Sequence, residues 1–344
     1  MIQITQSTSP MRRFPLAAGA VAAAALATLG AGPAIADVAE PEQLPVPYTF
    51  LSGAVKEITQ PEAPLAGAND WNCRPPADHP EPVVLVHGTF GGGTDNWATL
   101  GPLLHNQGYC VYTLTYGNLR DASWPLSAVG GVQSIPDVSV PEVADFVDRV
   151  RESTGAEEVD LVGHSQGVIV AGDVAKRTRP RTVAKLVSIA GPWDGTFGDL
   201  LFGSLDGNSA QRVRDLLAGT PIASMPQMIT GSEYLRGLEG VEGTPYAKGV
   251  EYTNISTRYD EAIVPYTSGQ RPAPEEPGYA VTNHVIQDGC ENDLSDHSSV
   301  PSSPRTADYV LSALDPAHRV ETRCVSTIPL HGAIGPVPPV RARA

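Results

Sequence analysis

Ser165 stands in Gly163-His164-Ser165-Gln166-Gly167, a G-x-S-x-G spacing that sets a hydroxyl between two glycines. A serine hydroxyl is a poor nucleophile until a base takes its proton and a third group orients that base. Before the turn, Val159, Leu161 and Val162 form a short apolar run of the kind that makes a buried strand. After it, Val168, Ile169, Ala171, Val174 and Ala175 read as a mostly buried helix that stops before Pro180. Strand, tight turn and helix together make a nucleophile elbow, in which a side chain at either glycine would crowd the turn. The plainer alternative is a glycine-rich strand-to-helix turn with no chemistry.

A serine in this context takes its partners from later in the chain, in the order serine, acid, histidine. The histidines beyond it are His284, His297, His318 and His331. His284 falls in an alternating strand, and His318 and His331 lie in the tail. His297 sits in the polar loop Asp293-Leu294-Ser295-Asp296-His297-Ser298, leashed by Cys290, and is the expected base. Asp260 follows the strand Glu251–Thr257 at once, which puts it on the same sheet edge as the elbow; it is the expected acid. Glu261 and Asp194 are its competitors, while Asp288 and Asp296 read as solvated loop charges. A developing oxyanion needs two fixed N–H donors. One is the amide of Gln166, the other comes from the glycine-rich loop His87-Gly88-Thr89-Phe90, with Thr89 first and Phe90 as the alternative. A phosphate cradle is a poor reading of that loop, since no basic residue lies between His87 and Leu104. His87 and His164 flank the two turns and read as packing residues rather than second bases.

The elements that must hold these groups follow from periodicity. Val83 to Val86 is a continuous apolar run, hence a strand buried on both faces. Trp97, Leu100, Leu103 and Leu104 have helical spacing that Gly108 ends, and Cys110 to Tyr116 alternates as a strand. Residues 117–137 read as a long loop. Ser139 with Glu142 forms a capping-box signature for a helix whose apolar face is Val143, Phe146, Val147 and Val150. Ala184 to Ala190, Glu251 to Thr257 and Tyr279 to Ile286 are further strands, and Ser303-Pro304 opens a last helix through Leu314. Strands alternating with helices mean an α/β protein with a doubly wound, mostly parallel sheet. Residues 193–249, rich in glycine and without strand signal, form a cap over the site. Residues 37–82 form an amino-terminal extension without helical or strand period, residues 83–324 the catalytic domain, and residues 325–344 a loosely packed tail.

The first 36 of the 344 residues read as an export signal: Arg12 and Arg13, an apolar run from Leu16 to Leu29, and Ala34-Ile35-Ala36 as a cleavage site. No later stretch reaches the ~18 uncharged apolar residues of a membrane-spanning helix. Net charge is −15, and it becomes −17 when Arg12 and Arg13 leave with the signal. Such acidity argues against nucleic acid or an anionic membrane as partner and suits a secreted enzyme of neutral substrates. Four cysteines in an exported chain fit two disulfides in one of three pairings. The sequential one, Cys73–Cys110 with Cys290–Cys324, closes two loops of similar size and is the expectation; four unpaired thiols is the alternative.

Val84-Leu85-Val86-His87-Gly88-Thr89, Gly163 to Gly167, Tyr259-Asp260-Glu261 and Asp296-His297 together resemble the α/β-hydrolase lipases of bacteria, over roughly residues 70 to 315. The order, with the cysteine positions, is also similar to the secreted yeast lipase B. The resemblance implies an α/β-hydrolase fold with a cap insertion and favours Thr89 over Phe90 for the oxyanion amide. It also implies hydrolysis of carboxylic esters, small or lipid, with acyl chains under the cap. Nothing in residues 193–249 aligns with the family. No cofactor is called for, and no calcium ligand set is carried over. An acyltransferase or polyester hydrolase would use the same triad, and a binding protein on a dead hydrolase scaffold is the remaining alternative.

Overall fold

Val83–Val86 forms strand β1, with no residue exposed. A strand without polar alternation has no face to offer water and must be covered on both sides. In this computed structural model, which describes residues 43–60, 63–124, 127–197, 212 and 222–343, β1 lies inside a sheet of parallel strands. The others are β2 (Val111–Thr113), β3 (Val159–His164), β4 (Val183–Ile189), β5 (Glu251–Ser256) and β6 (Ala280–Val285). Their order is β2-β1-β3-β4-β5-β6, each neighbouring pair parallel.

Helices described are α1 (Phe50–Thr59), α2 (Leu100–Asn106), α3 (Val140–Thr154), α4 (Gln166–Asp173), α5 (Ser224–Gln227), α6 (Glu233–Glu239) and α7 (Pro304–Leu314). Alternation along the strands sends successive side chains to opposite faces. Val84, Val86, Leu161 and Leu186 therefore pack with Val143 and Val147 of α3 and Ile169 of α4 in one core. Val83, Leu85, Val162 and Val187 pack with Leu100 and Leu104 of α2 and Val310 and Leu314 of α7 in the other. The sheet is thus doubly wound, as periodicity predicts. Buried side chains of these kinds contribute about 1.5–3 kcal/mol each.

Several expectations need correcting. The extension is not without helical structure. α1 has an apolar set, but Leu51 and Val55 are exposed, and the helix lies close against the loop after β1: a Cβ on Gly53 would come within 2.4 Å of the Asp95 carbonyl oxygen. Ser139 and Glu142 make no capping box. The backbone is already helical from Ile135, so Ser139 caps nothing, and Glu142 instead accepts the Gly117 N–H at 2.7 Å. Nor is the tail loose. Strands β7 (Thr327–Ile328) and β8 (Gly332–Ala333) pair with each other, and Ala333 N–H donates to Tyr48 O. Arg323 is buried against Asp308 of α7. The cap expected over 193–249 contains α5 and α6; residues 198–211 and 213–221 lie outside the described residues, as do residues 1–36, where an export signal is expected.

Both sequential disulfides are present, Cys73–Cys110 and Cys290–Cys324, with no free cysteine. Among the described residues no helix is long and apolar enough to cross a membrane, and no cluster of His, Cys, Asp or Glu could hold a metal ion.

Candidate active site

β3 runs straight into the turn that carries Ser165. Ser165 has φ +54° and ψ −125°, a conformation that costs about 1–3 kcal/mol and is tolerated only where its surroundings fix it. Here they do: Ser165 N–H donates to Ile189 O at 2.9 Å, and Val168 N–H to Ser165 O at 3.0 Å. The flanking glycines are steric requirements. A Cβ on Gly167 would lie 2.0 Å from the Val86 carbonyl oxygen, and one on Gly163 2.8 Å from the Val168 backbone. The amino-terminus of α4 stands behind Ser165, so developing negative charge is favoured there.

His297 arrives from the loop between β6 and α7. Its Nδ1 lies 2.9 Å from Asp260 Oδ1 and 3.1 Å from Oδ2, and the Asp260 side chain is buried. Asp260 Oδ1 also accepts the N–H groups of Ala262 (3.0 Å) and Ile263 (2.7 Å), which lock the carboxylate four residues past β5. Burial disfavours an imidazolium at His297. The Asp260 carboxylate, with its hydrogen bond and the nearby Glu261 and Asp296, outweighs that, so the pKa is raised above the ordinary histidine value.

The competitors are engaged elsewhere. Glu261 accepts the His297 main-chain N–H at 3.0 Å, and Asp194 pairs with Arg271. His284 stacks on Tyr309 of α7, ring centroids 4.1 Å apart, on the edge strand. His318 is exposed beside Asp315, and His331 lends its carbonyl to Phe50 N–H. Asp288 is a solvated charge paired with Arg258, as expected. Asp296 is not: it is buried, accepting from Ser299 N–H (2.9 Å) and Oγ (2.6 Å) and from Leu330 N–H (2.9 Å). The donors come from the loop itself and from the tail, which a reading of the loop alone leaves out.

The loop after β1 lies directly against the elbow, since a Cβ on Gly88 would meet Ser165 Cβ at 2.9 Å. Phe90 N–H is committed to Gly130 O at 2.9 Å. Gln166 is fully buried. Its Nε2 donates to Thr89 Oγ1 (2.9 Å) and Gly131 O (2.8 Å), tying the elbow to the glycine-rich loop. His87 has both ring nitrogens committed, Nδ1–H to Gly88 O (2.7 Å) and Nε2 accepting from Tyr116 N–H (3.2 Å). Burial drops its pKa to about 4. It packs and orients, as expected.

Sequence reading missed two supports. Asn96 Oδ1 accepts Gly88 N–H at 2.9 Å and faces His164 Nδ1 at 2.9 Å. Glu57 of α1 reaches across to accept from Thr94 and Asp95 N–H, both at 3.2 Å. The polar run Thr94-Asp95-Asn96 after three glycines was the one local sign of the first; nothing local marks the second.

This parallel sheet, with its elbow serine at the end of β3, is an α/β-hydrolase fold. A sequence profile described as alpha/beta hydrolase fold matches residues 81–216. The chain is 30% identical over 128 residues to a triacylglycerol lipase of Pseudarthrobacter phenanthrenivorans, 35% of this chain and 36% of that one. It is 30% identical over 128 residues to a triacylglycerol lipase of Burkholderia plantarii, 35% of this chain and 32% of that protein. The match thus spans about a third of the length of these relatives. The crystal structure of Aspergillus fumigatus lipase B superposes with a TM-score of 0.52 at 17% identity, covering 73% of this chain and 55% of that one, a likeness of fold.

Proposed function

We propose that this chain is a secreted carboxylic ester hydrolase of the lipase and esterase kind. Ser165 Oγ attacks the ester carbonyl while His297 takes its proton. The proton then passes from the imidazolium to the departing alkoxide, leaving an acyl-enzyme. Water, deprotonated by His297, releases the acid and restores the serine. Asp260 keeps the imidazole oriented and stabilises its charge. The Thr89 and Gln166 amides receive the oxyanion; Phe90 is set aside because its N–H is already bonded. The observation that carries the reading is the His297–Asp260 contact, closed on a carboxylate that two main-chain amides hold in place. The triacylglycerol lipases that are 30% identical to this chain over 128 residues support an ester as substrate class. Two disulfides and the amino-terminal pattern of residues 1–36 support export.

The experiment is Ser165→Ala, assayed on p-nitrophenyl esters of rising acyl length and on an emulsified triglyceride. The variant should fold and lose on the order of 10⁶ in kcat. A variant keeping a tenth of the wild-type rate would mean another nucleophile.

A further inference from the structure

The main chain of His297 is held on both sides of its Cα, by two contacts that the mechanism above does not use. Its N–H donates to Glu261 Oε2 at 3.0 Å; its carbonyl oxygen lies 3.0 Å from His164 Nε2. The His164 ring is buried, 4.8 Å centroid to centroid from the His297 ring, and on its other side Nδ1 faces Asn96 Oδ1 at 2.9 Å. Both ring nitrogens therefore meet acceptor oxygens, and a neutral imidazole has a single N–H to give. Burial, followed by the neighbouring His297 and His87 rings, keeps the His164 pKa well below the ordinary value, so the ring is neutral. Asn96 Oδ1 already holds the Gly88 proton, whereas among the described residues no other donor reaches the His297 carbonyl. The proton accordingly belongs on Nε2.

We propose that His164 is a positioning residue for the base, its Nε2–H holding the His297 main chain against the elbow. The proposal rests on the reading of Ser165, His297 and Asp260 given above. His164 adjoins the nucleophile in sequence, so the hydrogen bond ties the base loop to the residue beside the one it serves. Asn96 Oδ1, on the other side of the ring, holds Gly88 N–H and takes no proton from His164. Elbow and base loop then keep one geometry while the imidazole of His297 gains and loses its proton. A displacement of about an ångström between reacting groups costs roughly 100-fold in rate, which sets the scale of what the tie secures.

Three substitutions separate the two ends of the ring. His164→Phe keeps the ring's bulk and removes both nitrogens. His164→Gln carries an amide nitrogen near the place of Nε2, and His164→Asn one near Nδ1. Turnover of a soluble p-nitrophenyl ester is read per site titrated by a serine-directed phosphonate, so unfolded protein is not counted. The expected result is that Phe and Asn lower kcat by about 10–100-fold with KM little changed, and that Gln recovers most of the loss. Undiminished kcat in His164→Phe, or Asn matching or exceeding Gln, overturns the proposal. Should Phe fail to fold, the Gln against Asn comparison decides alone. Phosphonate found on a residue other than Ser165 would overturn the triad reading itself, a failure distinct from labelled Ser165 with kcat indifferent to His164.

Discussion

Asp260 and Glu261 are adjacent carboxylates of equal charge beside one histidine, and they do different things to it. Asp260 faces the ring nitrogen; Glu261 accepts the main-chain N–H. Asp260→Asn should therefore cost about 10⁴ in kcat near neutral pH, because an amide cannot hold the imidazolium and can favour the wrong tautomer. Glu261→Gln should be mild, since Gln still presents an oxygen to that N–H. Comparable losses in both would mean that general electrostatics, not orientation, is at work. The raised pKa of His297 has a signed consequence. The base is protonated, and idle, up to a higher pH than an ordinary histidine, so the acidic limb of kcat/KM should have its midpoint above ~6.5 and activity should fall as pH drops through it. A midpoint below that would remove Asp260 as the dominant neighbour. Ser165 and Asp260 could be singled out because each is a chemically distinctive residue within four positions of a strand end, and His297 because it is the histidine of the polar loop between β6 and α7. Asn96 and the second role of His164 could not, because they depend on which oxygen each ring nitrogen meets.

At the scale of elements, residues with strong local period were read correctly: β1, β3 and β4 from aliphatic runs, α7 from its serine cap and Pro304. Ser303 Oγ indeed accepts from Arg305 and Thr306 N–H. α1 escaped because its anchor is tertiary. The carboxylate of Glu57 is buried against the glycine loop, beside Asp95, and holds two of that loop's amides. Burial, then the Asp95 charge, raises the Glu57 pKa to about 7, and burial raises Asp95 to about 6. An acid whose folded pKa exceeds its unfolded one binds its proton more tightly in the native state. It therefore lowers stability progressively as pH rises from near 4.5 to about 7. Thermal melts of the wild type should drop over that range, and Glu57→Gln, which keeps an acceptor oxygen and loses the charge, should flatten the drop. Parallel curves for the two proteins would mean that Glu57 titrates as an exposed acid does.

At the scale of the whole molecule, two segments flanking the sheet domain in sequence brace the two loops of the proposed site. α1 holds the glycine-rich loop through Glu57. The tail holds the base loop, with Leu330 N–H on Asp296, Thr327 Oγ1 on Asp293, and Cys290–Cys324 closing the same loop. The alternation of strands and helices carried the fold class, and the order of chemical residues carried the candidate site. The bracing was illegible because Pro- and Gly-rich sequence carries no period, and its order comes from hydrogen bonds to residues far away in the chain. Under the proposed function all of it serves one covalent event, acylation of Ser165. The most direct measurement is mass spectrometry of peptides from enzyme quenched during turnover of a slowly deacylating p-nitrophenyl ester. The account predicts an acyl group on the peptide containing Ser165, absent when the Ser165→Ala variant is treated the same way. Ester hydrolysis proceeding at full rate with the acyl group on any other residue would contradict it.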